Sequence, residues 1–166
     1  VINLSLGRPV TTSFVNDPLC QAVKRAWDAG IVVVAAAGNE GRNNSAGTSG
    51  YGLISAPGNS PYVITVGAMN TRGTIGAGDD VLTSFSSKGP TLIDQVVKPD
   101  LVAPGNAIVS VRGYDVGIET QNPNNLVPTS AYTPWTYEQD YFQISGTSMA
   151  APYISGAAAV MLHKNP

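Results

Sequence analysis

A second cysteine is missing from the 166 residues, so no disulfide can form within the chain. The lone thiol, Cys20, falls on an expected helix face, where it reads as a buried apolar residue and not as a nucleophile. Charge is scarce: 12% of residues carry it and the net value is −2, which leaves no basic face for nucleic acid. No apolar run approaches the roughly eighteen residues of a membrane span. Nothing repeats, although glycine (18) and proline (12) are as plentiful as a loop-rich α/β enzyme requires. The length suffices for one domain with a substantial core.

The pattern that is present is that of alternating strands and helices. Asp17-Pro18 supplies an N-cap and first residue for a helix that Gly30 closes. Leu19, Val23, Ala26 and Trp27 recur within it at three- and four-residue spacing, giving one apolar stripe. A strand over 1–6 precedes it. After it, the continuous apolar run from Ile31 to Ala37 lacks the alternation of a one-sided strand and fits a parallel strand covered on both faces. Strand, helix, strand is the crossover unit of a parallel sheet. Ser60 to Ala68 reads as a further strand after a proline turn, 42–55 as a polar loop, and 72–80 as a glycine-rich excursion.

Two segments carry candidate chemistry. Gly146-Thr147-Ser148-Met149-Ala150-Ala151-Pro152 puts a serine at the mouth of a helix, where free backbone N–H groups and a partial positive charge stabilise an anion. Gly146 leaves room for a second backbone, and Pro152 is tolerable in a first helical turn. The small residues Gly156 to Ala159 suit a helix pressed into a core. Taken alone, Gly-Thr-Ser is equally an ordinary cap and turn. Gly38-Asn39-Glu40-Gly41 breaks the apolar strand at its carboxyl end, where open α/β sheets place their sites. An amide there can donate to a developing oxyanion; taken alone, Asn39 is equally a turn residue.

Together these segments resemble the subtilisin-like serine peptidases, the subtilases. Val1-Ile2-Asn3-Leu4-Ser5-Leu6-Gly7, Phe85 to Pro90 and Lys98 to Gly105 extend the likeness over essentially all of residues 1–166. The resemblance implies an α/β fold in three layers: a mostly parallel sheet with helices on both faces, incomplete on its N-terminal side. It implies Ser148 as nucleophile and Asn39 as oxyanion donor, with the Ser148 N–H as a second donor. Ser5, Leu6 and Gly7 would form one wall of the primary specificity pocket, with Ala36, Ala37 and Gly38 opposite and Glu40 near its floor. Small residues on both walls predict a roomy apolar slot. The substrates implied are polypeptides, bound by an added extended strand. No organic cofactor is implied. A structural calcium or sodium is possible at Gly58, Ser60, Val63 and Asp100, for which a solvated turn is the simpler reading. The likeness points to a secreted bacterial enzyme and leaves an intracellular one open.

The general base and its carboxylate are missing. The only histidine, His163, lies fifteen residues past Ser148, or about 22 Å along a helix, and reads as a surface residue in the last turn. Tyr153, where many subtilases carry histidine, reads as packing. The chain begins inside a strand, without Met or a leader pattern. The expectation is the C-terminal portion of one catalytic domain, whose N-terminal half carries the aspartate and histidine and is its natural partner. The expected sheet would then expose an edge where the absent strands belong. Residues 113–141, with Pro123, Pro128 and Pro134 beside Tyr132, Trp135 and Tyr137, form a long irregular insertion expected to flank the cleft. The competing readings are an inactive half-domain or peptide-binding scaffold, and a nucleotide-binding domain. The second lacks both Gly-x-Gly-x-x-Gly and Gly-Lys-Ser/Thr elements.

Overall fold

The computed structural model describes residues 1–113, 117–132 and 140–165. Contacts divide the chain into two compact units, one of residues 1–106 with 146–166, the other of residues 107–145.

The first unit is built on a five-stranded sheet. Strand β1 (Ile2–Leu4) pairs in parallel with β2 (Val33–Ala36), and β2 pairs in parallel with β3 (Ile64–Asn70). Strand β3 takes β5 (Leu101–Pro104) in parallel and the short β4 (Val81–Leu82) antiparallel. The expected strand over 31–37 is therefore central, and all four residues of β2 are buried. β4 falls just after the glycine-rich excursion and was not legible in advance.

Helix α1 (Pro18–Asp28) connects β1 to β2. Asp17 caps it as expected: its carboxylate accepts from the Leu19 and Cys20 N–H groups at 2.9 and 3.1 Å. Gly30, at φ +78°, takes the left-handed turn that ends the helix. The buried stripe is Cys20 and Val23, with Ala26 packed beside them, while Trp27 is exposed, contrary to the expected stripe.

Alternate residues of β2 show how the layers stack. Val33 and Ala35 join Val23 of α1 and Val63 in one apolar cluster. Val34 joins Val66, Ala68, Ala103, Ala150 and Ala151 in another, the last two from helix α3 (Thr147–Lys164). A strand facing a helix on each side must be apolar at every position, which is why it reads as a continuous run. Each fully buried valine contributes about 1.5–3 kcal/mol of transfer free energy.

β1 pairs with β2 alone among the described residues, and Val1, Ile2 and Leu6 are exposed, so the strand expected over 1–6 lies at an exposed edge of the sheet. α3 buries only Thr147, Ala150 and Ala151; Gly156, Ala157 and Ala159 are exposed, as are Val160, Met161 and Leu162. Tyr153, expected to pack, is half exposed. Only the opening turns of this helix lie on the sheet.

In the second unit, β6 (Ile108–Val111) and β7 (Tyr141–Ile144) form an antiparallel pair. Between them lie a short helix α2 (Gly117–Gln121) and single 3₁₀ turns at Pro123–Asn125 and Thr129–Ala131. The described part of 113–141 thus holds one short helix and two 3₁₀ turns, within the compact unit of residues 107–145. Arg112 pairs with Glu119 at 2.9 Å, and the Tyr132 and Tyr141 rings meet edge to face. Pro134, Trp135 and Tyr137 lie outside the described residues.

Candidate active site

The carboxyl ends of β1 and β2 and the start of α3 converge on one cavity of about 400 Å³. Its lining includes Leu6 and Gly7 after β1, Ala36, Gly38, Asn39 and Glu40 at and after β2, and Thr147 and Ser148 from α3. The strand ends and the helix mouth that were expected to meet do so.

Ser148 is the second residue of α3, so its N–H has no acceptor within the helix. Its hydroxyl donates to the Ser5 carbonyl at 3.3 Å, and the Ser5 hydroxyl donates to the Ser148 carbonyl at 2.7 Å. Asn39 is exposed, with its amide held from one end. Oδ1 accepts from the Thr147 N–H at 2.9 Å and from the Thr147 hydroxyl at 3.1 Å. The same hydroxyl accepts from the Gly38 N–H at 3.1 Å. With Oδ1 occupied twice, the side chain has one orientation and Nδ2 is its free donor. Thr147 is fully buried and was not singled out in the sequence. A β-branched hydroxyl beside the serine was the available signal.

Gly146 is extended and buried, and a second backbone comes close as expected: its N–H donates to the Gly105 carbonyl at 2.8 Å. A methyl group there would meet the Asn39 amide nitrogen at 3.5 Å and the Met149 sulfur at 3.6 Å. Pro152 sits at the sixth helical position and not in the first turn. The carbonyl four residues back that it leaves without a donor is that of Ser148.

The cavity walls differ from expectation in two places. Ala37 is fully buried and does not line the cavity; its N–H donates to the Val66 carbonyl and its carbonyl accepts from the Ser55 N–H. Ser5 does not line it either, being turned toward Ser148. Between the walls runs the segment Gly52 to Ala56, stitched to both: Ala56 exchanges backbone hydrogen bonds with Arg8, and Ser55 donates to Ala37. A methyl group on Gly7 would lie 2.9 Å from the Ser55 Cβ, and one on Gly38, at φ +107°, 2.5 Å from its Oγ. Ser55 therefore fills the space between the two glycines, and the slot is narrower there than small walls alone suggest. Glu40 lines the cavity, its N–H donating to the Ser87 hydroxyl and its carboxylate accepting from Asn43.

Arg8, also in the lining, pairs with the fully buried Asp17 carboxylate, which ties this wall to the cap of α1. On that helix the Cys20 thiol donates to Asn59 Oδ1 at 3.2 Å. Burial, and then the Asp17 charge, push its pKa up to about 12, so it stays a protonated, unreactive thiol as expected.

The suggested cation ligands lie apart from this cavity, and protein groups take their oxygens. Lys98, with its side chain 3% exposed, donates to the Val63 carbonyl at 2.8 Å and to the Asp100 carboxylate at 2.6 Å. The Gly58 carbonyl accepts from the Thr65 hydroxyl, and the Ser60 hydroxyl from the Tyr62 N–H. Gly58, Ser60 and Val63 are buried, while Asp100 is exposed. An ammonium group stands where a cation was suggested; no cluster of three or more His, Cys, Asp or Glu occurs among the described residues. His163 is exposed at the far end of α3.

The subtilase family model, that of peptidase family S8, matches residues 1–166. Serine protease AprX of Bacillus subtilis is 43% identical over 151 residues, 91% of this chain and 30% of that protein. Subtilisin DY of Bacillus licheniformis is 36% identical over all 166 residues and 43% of its own length. Among solved structures, a psychrophilic protease, S41, superposes with a TM-score of 0.60 at 30% identity, covering 95% of this chain and 41% of that one. A cold-adapted subtilisin-like serine proteinase gives 0.60 at 29%, covering 98% and 41%. The chain spans less than half the length of these relatives. With the whole chain matched, and with the sheet and helices of the subtilisin-like structures, it belongs to the subtilase family of serine peptidases.

Proposed function

We propose that the protein carrying this chain is a serine endopeptidase in which Ser148 is the nucleophile and Asn39 the oxyanion donor. The observation that carries this reading is the shared cavity: a serine at a helix N-terminus opposite an amide locked by Thr147. The Ser148 hydroxyl attacks the scissile carbonyl and passes its proton to a histidine outside this chain. The tetrahedral oxyanion is held by Asn39 Nδ2 and the Ser148 N–H, both free to donate. Collapse releases the amine and leaves an acyl-enzyme, which water hydrolyses. Leu6, Gly7, Ala36, Gly38 and Glu40 surround the side chain before the cut, and Ser55 limits its depth.

This reading makes polypeptides the substrates and needs no organic cofactor. The N-terminal half of the domain is the partner that completes the site, and the chain alone is inactive for want of a base. Secretion from a bacterium is part of the same proposal; no helix among the described residues is long and apolar enough to cross a membrane. Casein hydrolysis by the full-length protein tests the reading. Wild type is expected to cleave, and Ser148→Ala to fall by about 10⁴ or more. A Ser148→Ala protein that cleaves at the wild-type rate refutes it.

A further inference from the structure

Pro152 creates a local deficit whose remedy reaches the nucleophile. Lacking an N–H, it cannot donate to the carbonyl of Ser148, the residue four before it in α3. That carbonyl receives the Ser5 hydroxyl instead, across 143 residues of chain, at 2.7 Å. The Ser5 oxygen in turn accepts from Asn3 Nδ2 at 2.9 Å, and Asn3 Oδ1 accepts from the Ser155 hydroxyl at 2.9 Å. Because Ser5 Oγ already receives a proton from Asn3, its own proton is directed at the Ser148 carbonyl. The Ser5 carbonyl closes the loop by accepting from Ser148 Oγ.

We propose that Ser5, oriented by Asn3, is a positioning residue for Ser148. Its hydroxyl replaces the helical hydrogen bond that Pro152 removes, and so sets the backbone orientation of Ser148, on which the directions of its Oγ and N–H depend. Ser5 acts on the nucleophile and not as a pocket wall, consistent with its absence from the cavity lining. The proposal rests on the reading of Ser148 as nucleophile.

The test compares Ser5→Ala, Ser5→Thr, Pro152→Ala and Ser5→Ala/Pro152→Ala in the full-length protein. Readouts are kcat and KM on a chromogenic peptide, and the rate at which a fluorophosphonate labels Ser148. Loss of one hydrogen bond of about 1 kcal/mol predicts a roughly fivefold fall in kcat and in labelling rate for Ser5→Ala, with KM unchanged. Ser5→Thr keeps the hydroxyl and should restore both. Pro152→Ala supplies a helical N–H to the Ser148 carbonyl, so it should rescue Ser5→Ala, which no pocket-wall role explains. A Ser5→Ala protein altered only in KM, or left unrescued by Pro152→Ala, overturns the proposal. A wild-type protein that cleaves peptides yet takes no label at Ser148 overturns the underlying reading instead.

Discussion

Thr147→Val keeps the shape of the side chain and removes one hydroxyl that holds two groups. The Gly38 N–H, 3.1 Å from that oxygen, loses its acceptor, and Asn39 Oδ1 loses one of its two donors while keeping the Thr147 N–H at 2.9 Å. The stranded donor costs about 1–3 kcal/mol of folding stability. Loosening of Asn39 costs about 1 kcal/mol of transition-state stabilisation, or roughly fivefold in kcat, since the amide then samples orientations in which Nδ2 does not face the oxyanion. Removing the donor outright by Asn39→Leu should cost far more, about 10²–10³ in kcat, a value known for this family's oxyanion asparagine and not worked out from this structure. Steady-state kinetics of the full-length protein on a chromogenic peptide separate the two. KM should barely move in either variant. The decisive comparison is the double variant: once Asn39 is leucine, Thr147→Val has no amide left to orient and should cost nothing further in kcat. A fivefold loss that persists in the Asn39→Leu background, or no loss in the single variant, refutes the reasoning.

Three further outcomes follow from the surroundings of the site, each read in the full-length protein. Asp17→Ala removes the oxygen that accepts both cap hydrogen bonds and leaves Arg8 unpaired, so urea unfolding should show a loss of about 2 kcal/mol or more; a change under 0.5 would count against it. Lys98→Met leaves the Val63 carbonyl and Asp100 without their shared donor and should lower stability by about 1–3 kcal/mol, discounted for the partial exposure of Asp100, while kcat stays unchanged. Cys20 has its folded pKa raised from 9.0 to about 12, so its stabilisation is complete below about pH 9 and is lost as pH rises, because the unfolded thiol ionises first. Between those values wild type should lose up to about 1.4 kcal/mol per pH unit relative to Cys20→Ala; a difference in urea midpoint that is constant across the window sinks the idea.

What the sequence made legible is what depends on local pattern. The run Ile31 to Ala37 announced a strand covered on both faces, and Asp17-Pro18 announced a capped helix, because neighbouring residues alone decide those features. The convergence of the β1 and β2 ends with the mouth of α3 was legible through family likeness. What was missed depends on contacts between distant segments. Ser55 enters the pocket only because its backbone is laced to both walls, and Thr147 grips Asn39 from 108 residues away. Lys98 is two residues from Asp100 in sequence, yet only the fold brings the Val63 carbonyl to its ammonium. α3 misled because its run of small and apolar residues reads as a helix pressed into a core, whereas only its opening turns meet the sheet.

Peptide-mapped mass spectrometry of the full-length protein after fluorophosphonate treatment identifies the nucleophile itself. A single adduct is expected, on Ser148, with loss of casein hydrolysis in step with labelling. Complete inactivation with the adduct on another residue and Ser148 unmodified would contradict it.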